Sequence, residues 1–334
     1  MPEVVYTEET LKAQDGIELF CRVWLPVGPS GATDAGADAG ADAGADAGAD
    51  AGADAGADAG ADAGADAGDD PAVAAAAGAG RVRAVLVICH GQAEHSGRYT
   101  HVAQFFAERG YAVYAYDLRG QGKSGGVRGH VDRWTQYYDD LWLVIRTAKA
   151  RHSGLKLFII GHSLGGLIAL GYAARRPRTI TGVVVSSPGL AFIVKVPLWK
   201  KALAAVLAFI MPRAAFETGI QAEQLSHDPA VAAAYKSDSI RYAPVTAKLY
   251  VEWNRATRAV FEDSKSFAVP CLFMPAGADQ ICSAQATVDF YNNDPHPDKK
   301  LVVWEGLYHE IFNEPENEKV LETTAAWIAE RDGR

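Results

Sequence analysis

The feature that most restricts how this chain can fold is a serine set between glycines at the junction of a strand and a helix. Lys156-Leu157-Phe158-Ile159-Ile160 reads as a buried strand, Gly161-His162-Ser163-Leu164-Gly165-Gly166 follows, and Leu167 to Arg175 reads as a helix. A strand that reverses into a helix within so few residues leaves no room for side chains two positions either side of the apex. The strained turn lifts the Ser163 hydroxyl clear of the sheet. The helix behind it aims its first N–H groups, and the positive end of its dipole, at the same point. Ser163 is therefore the candidate nucleophile, on the strength of where the pentapeptide falls more than of the pentapeptide itself.

A serine hydroxyl is a weak nucleophile at neutral pH. It needs a base, and the base needs an orienting acid. On this kind of turn the expected chain order is serine, acid, histidine. His309 follows the last strand candidate, Lys300 to Trp304, after the short loop Glu305-Gly306-Leu307-Tyr308, which puts it at the sheet edge that carries Ser163. His296 precedes that strand and belongs to the opposite edge, and His162 is expected to point away from the Ser163 hydroxyl. Pro270 to Met274 is followed by Pro275-Ala276-Gly277-Ala278-Asp279, so Asp279 is the candidate acid. Asp117 also ends a strand, but it precedes Ser163 and is assigned to the turn Asp117 to Gly122. An oxyanion hole needs two N–H donors. One is expected from Leu164, the other from Gln92 in the loop His90-Gly91-Gln92-Ala93.

The remaining strand candidates are Ile17 to Trp24, Ala84 to Cys89, Tyr111 to Tyr116 and Gly182 to Ser186. Most are continuous apolar runs, as in strands buried on both faces. Helical patterns lie over Tyr99 to Arg109, Thr135 to Arg151, Ala284 to Asn292 and Glu316 to Arg331. Alternation of this kind implies a mostly parallel sheet with helices on both faces. Pro188 to Ser264 breaks the rhythm, because it holds no convincing strand, and it reads as a helical cap. Its apolar run Val196 to Met211 is flanked by Lys195, Lys200, Lys201 and Arg213. That pattern fits a helix resting on an anionic membrane surface, a wall of an acyl tunnel, or ordinary packing within the cap.

One segment distorts the composition. From Asp34 the unit Asp-Ala-Gly-Ala repeats to Gly68, followed by Asp69-Asp70, and it carries 11 of the 41 acidic residues. Without it, 32 basic residues face 30 acidic ones, so the formal charge of −9 says little about the folded part, and nothing suggests nucleic-acid binding. Glycine at every fourth position costs about 1 kcal/mol each relative to alanine in a helix, and nothing larger than alanine is there to bury. Residues 28–80 read as a disordered acidic loop inserted between two strands. The full chain is 49% hydrophobic, enough for a large core, and no stretch reaches the length of a membrane span. The N-terminus lacks a basic region followed by an apolar one, so no signal peptide is expected. Cys21, Cys89, Cys271 and Cys282 lack metal spacing and read as free thiols in a reducing, cytoplasmic setting.

The loop that supplies Gln92 carries a wider resemblance. His90-Gly91-Gln92-Ala93-Glu94-His95-Ser96-Gly97-Arg98-Tyr99 resembles a signature of the monoacylglycerol lipases and bacterial lysophospholipases of the α/β-hydrolase fold. Asp117 to Gly126, Gly161 to Gly166, Asp279 and Tyr308-His309-Glu310 are similar to further blocks of that family. The resemblance covers about residues 5–27 and 80–331. It implies a mostly parallel eight-stranded sheet with a helical cap, and together with the patterns above the chain divides as core 1–27 and 81–187, insert 28–80, cap 188–264 and core 265–334. It also implies a serine hydrolase of single-chain lipid esters that needs no cofactor, with a cap admitting the acyl tail and with Glu94 and Arg98 bordering the alcohol end of the pocket; no metal is expected, and the basic residues flanking Val196 to Met211 are what point to peripheral membrane contact through the cap. Ala93 departs from the family, where glycine is common, and the acidic repeat is foreign to it. A small-ester carboxylesterase, a peptidase releasing N-terminal residues and a non-catalytic ligand-binding relative are the alternatives. A peptidase would need acidic groups for the substrate ammonium, and Glu94 is the candidate.

Overall fold

The computed structural model describes residues 3–27, 82–194 and 196–333. The acidic repeat, the whole of 28–80 and Lys195 lie outside the described residues. Six strands come first in the chain: β1 (Val4–Lys12), β2 (Glu18–Pro26), β3 (Val85–Cys89), β4 (Ala112–Tyr116), β5 (Leu157–His162) and β6 (Gly182–Ser186). Two two-residue strands, β7 (Ala215–Phe216) and β8 (Val245–Thr246), pair antiparallel outside the main sheet. They stand where no strand was expected, and two residues are too short to leave a pattern. β9 (Cys271–Met274) and β10 (Lys299–Leu301) complete a sheet of eight strands in the order β1-β2-β4-β3-β5-β6-β9-β10. β1 and β2 run antiparallel to their neighbours, and all other pairs are parallel.

Alternate side chains of the buried strands serve two cores, as the two-residue period of a strand dictates. Val85, Val87 and Cys89 face one side and Leu86 and Ile88 the other. The first side is covered by α2 (Thr135–Arg151) and α3 (Leu164–Arg175), and the second by α1 (Thr100–Ala107). Between β6 and β9 run α4 (Leu198–Ile210), α5 (Pro229–Ser237) and α6 (Ala247–Asp263). α7 (Ala284–Asn293) joins the first side, and α8 (Asn317–Ala329) the second.

The stretch expected to form a cap divides in two. α6 is amphipathic, and Leu249, Trp253, Ala256 and Val260 are buried in the main core. α4 packs against α6 but buries none of its residues fully. Leu198, Trp199 and Phe209 are 82%, 65% and 89% exposed. No described helix is long and apolar enough to cross a membrane.

Because six strands are parallel, their carboxyl ends share one edge. His90 to Glu94 follow β3, Ser163 follows β5, Asp279 follows β9 and His309 follows β10 on that edge.

Candidate active site

Ser163 sits between β5 and α3 at φ +51° and ψ −115°, a conformation that residues with a Cβ rarely adopt. The flanking glycines are required by close approach. A Cβ on Gly165 would lie 2.0 Å from the carbonyl oxygen of Cys89, and one on Gly161 would lie 2.6 Å from that of Gly165. Strand β3 and the start of α3 are therefore pressed together beneath the serine. Leu164 opens α3, so its N–H is among the amides that a helix leaves unpaired at its start.

Asp279 and His309 meet across the neighbouring loops. Asp279 Oδ2 lies 2.7 Å from His309 Nδ1, while Oδ1 accepts the N–H groups of Ile281 at 2.8 Å and Cys282 at 2.9 Å. Burial pushes the imidazolium of His309 down, but the Asp279 carboxylate beside it prevails and holds its pKa above the ordinary histidine value. Ser163 and His309 line one narrow cleft with Gly91, Gln92, Glu94, His162, Ile220, Leu225, Tyr235 and Glu310. Among the described residues no direct hydrogen bond joins Ser163 to His309, and the Cys282 thiol neighbours the serine side chain. Hydrogen bonds of this kind are often long or poorly aligned before the substrate complex forms. Burial drives the Cys282 thiol well above its ordinary pKa, so it stays protonated.

His162 adjoins the serine and its ring centroid is 4.7 Å from that of His309, but its Nδ1 pairs with the Ser186 hydroxyl at 3.0 Å. Burial first, and the neighbouring His309 second, hold His162 neutral. Its ring packs against the imidazole of His309.

The loop after β3 is fixed by its own histidine. His90 Nε2 accepts the Leu118 N–H at 2.9 Å, so Nδ1 carries the proton and donates to the Gly91 carbonyl at 2.7 Å. Burial lowers the pKa of His90 to about 4, which keeps that pattern at neutral pH. Gln92 lines the cleft, and its side chain is held by Gln121 at 3.2 Å. Ala93 has φ +63°, the left-handed region that glycine occupies without strain.

Glu94 and Arg98 are brought together, but only Glu94 lines the cleft. Glu94 is buried and accepts the Gly91 N–H, the Tyr99 hydroxyl at 2.9 Å and Arg98 at 3.4 Å. Burial raises its pKa to about 7, against the pull of Arg98. The guanidinium of Arg98 forks onto Glu310 at 2.6 and 2.7 Å. Sequence reasoning did not single out Glu310, Ile220, Leu225 or Tyr235. Only the adjacency of Glu310 to His309 offered a signal, since the other three come from the stretch between β6 and β9.

Comparison with known proteins identifies the family. The family model described as serine aminopeptidase, S33 matches residues 80–316. A phospholipase, YtpA of Bacillus subtilis, is 35% identical over 254 residues, covering 75% of this chain and 96% of its own. A monoacylglycerol lipase of Mycolicibacterium smegmatis is 34% identical over 247 residues, covering 74% of this chain and 88% of its own. The crystal structure of Paleococcus ferrophilus monoacylglycerol lipase superposes with a TM-score of 0.70 at 32% identity, covering 75% of this chain and 95% of that one. The chain belongs to this family and has the α/β-hydrolase fold. It is a serine hydrolase of the lipase type.

Proposed function

We propose that the chain hydrolyses single-chain lipid esters, monoacylglycerols or lysophospholipids, through an acyl-enzyme on Ser163. His309 takes the serine proton as it attacks and returns it to the departing alcohol, and Asp279 holds the imidazole in the required tautomer. The N–H groups of Gln92 and Leu164 receive the oxyanion. The observation that carries this reading is the buried Asp279–His309 pair opening onto the same cleft as the strained Ser163.

The state of the carboxylates favours an ester over a peptide amine. Glu94 and Glu310, the acidic residues lining the cleft beside His309, are already occupied by Gly91, Tyr99 and Arg98. A substrate ammonium would find no free anion there. Glu94 then forms the wall beside the alcohol group, and Arg98 acts on that end through Glu94 and Glu310. Residues 188–264 serve as the cap, with Ile220, Leu225 and Tyr235 as its part of the cleft wall. The exposed apolar face of α4, with Lys200 and Lys201, is the surface that meets lipid. A reducing cytoplasmic setting suits four buried free thiols.

The test is a panel of monoacylglycerols, lysophospholipids, p-nitrophenyl esters and aminoacyl amides, run on the wild type and on Ser163→Ala. The wild type should hydrolyse the esters and label with a fluorophosphonate, and the variant should do neither. Faster cleavage of aminoacyl amides than of esters would establish a peptidase instead.

A further inference from the structure

Glu314 follows a short turn, Ile311–Asn313, just beyond His309 in the chain. It is 1% exposed, yet its carboxylate meets four donors. Oε1 accepts the Tyr308 N–H and His227 Nδ1, the latter at 2.9 Å. Oε2 accepts the His227 N–H at 2.8 Å and lies 3.0 Å from the Ser226 hydroxyl, whose proton also serves the Asn313 carbonyl at 2.9 Å. The ring of His227 stacks on that of Tyr308, with centroids 3.7 Å apart.

These donors belong to two parts of the site. Tyr308 immediately precedes His309. Ser226 and His227 immediately follow Leu225, which lines the cleft and whose carbonyl accepts the Glu310 N–H at 2.8 Å. The carboxylate therefore closes a ring that runs through the His309 loop and the Leu225 wall. Packing alone would be served by an apolar side chain, and a buried charge is tolerated only where hydrogen bonds surround it. An ionised carboxylate is the one side chain of this size that offers acceptors alone, about four lone-pair sites on two oxygens.

We propose that Glu314 is a positioning residue of the reaction, holding the loop of His309 and the Leu225 wall of the cleft in fixed register. The proposal rests on the reading of His309 as the base. A loop freed from Glu314 lets the imidazole drift from the serine, and displacement on the scale of 1 Å costs on the order of a hundredfold in rate.

Glu314→Gln tests it, because the amide keeps the shape but turns an NH2 group onto one pair of donors. With p-nitrophenyl acetate, kcat should fall by about ten- to a hundredfold while KM stays within about threefold. Fluorophosphonate labelling of Ser163 should slow in the same proportion. Glu314→Asp, which keeps the charge, should recover part of the loss. A Glu314→Gln protein with a lowered Tm and wild-type kcat overturns the proposal, as does a rise in KM alone. Should that variant fail to fold, Ser226→Ala and His227→Ala remove single donors. A smaller loss of kcat in both supports the proposal, and wild-type kcat in both overturns it. Hydrolysis that survives in Ser163→Ala would overturn the hydrolase reading itself, a separate failure.

Discussion

At the scale of single residues, neighbouring histidines of the candidate site have their pKa values moved in opposite directions. His90 and His162 are kept neutral by burial, while His309, equally buried, is lifted by Asp279. A base must be neutral to act, so kcat/KM for a soluble ester should fall as the pH drops through the pKa of His309. That pKa lies above the ordinary value of about 6.5, and activity should level off on the alkaline side. Asp279→Asn should lower kcat by roughly 10⁴-fold, as for the orienting aspartate of serine proteases. It should also move the acid limb to lower pH, since burial then acts on the imidazole without the carboxylate. A pH–rate series on both proteins checks the two effects together, and activity within about tenfold of wild type would mean that another carboxylate orients His309. The candidates Ser163, Asp279 and His309 could be picked out because they come one, five and eight residues after the ends of β5, β9 and β10. The partners of Arg98 and Glu314 could not, because Glu310 and Ser226 stand 212 and 88 positions away in the chain. Nothing in either local sequence says which distant segment will fold against it.

At the scale of elements, α4 is the piece whose sequence and surroundings disagree. Its apolar residues would suit a core, yet Leu198, Trp199, Phe209 and Ile210 face outward, and no residue of α4 lines the cleft. Of the three readings open for Val196 to Met211, a wall of an acyl tunnel draws no support from the residues that line the cleft. The proposed lipid contact would cover these side chains, and burying one large apolar side chain contributes about 1.5–3 kcal/mol. Trp199→Asp and Phe209→Asp should each weaken binding to anionic phospholipid vesicles by tenfold or so, as read by co-sedimentation. Hydrolysis of p-nitrophenyl acetate in solution should be unchanged. Equal losses on soluble and vesicle-bound esters would show that α4 supports the fold instead. The other elements followed their patterns closely, with the predicted bounds of α2 reproduced and β3, β4, β5, β6 and β9 lying on their apolar runs. β1 escaped notice because its residues are half-buried or exposed and form no apolar run. The Asp15-Gly16 pair that turns it into β2, with Gly16 at φ +84°, was its one available signal.

At the scale of the whole molecule, the chemistry lies along one edge of the sheet and the segment outside the described residues attaches at the other. β2 ends and β3 begins at that far edge, on either side of β4. Two strand spacings put these ends about 10 Å apart. Deleting Asp34 to Asp70 leaves six residues before and eleven after the cut, ample at roughly 3.3 Å per extended residue. The shortened protein should keep kcat/KM for a soluble ester and its Tm, and its isoelectric point should rise from about 5.5 as eleven carboxylates leave. A marked fall in Tm on calorimetry would mean that the segment packs against the core. The same far-edge attachment makes a natural port. A foreign domain spliced there, or a tether to a solid support, would hold the enzyme by its blind side and leave the mouth of the cleft facing the liquid.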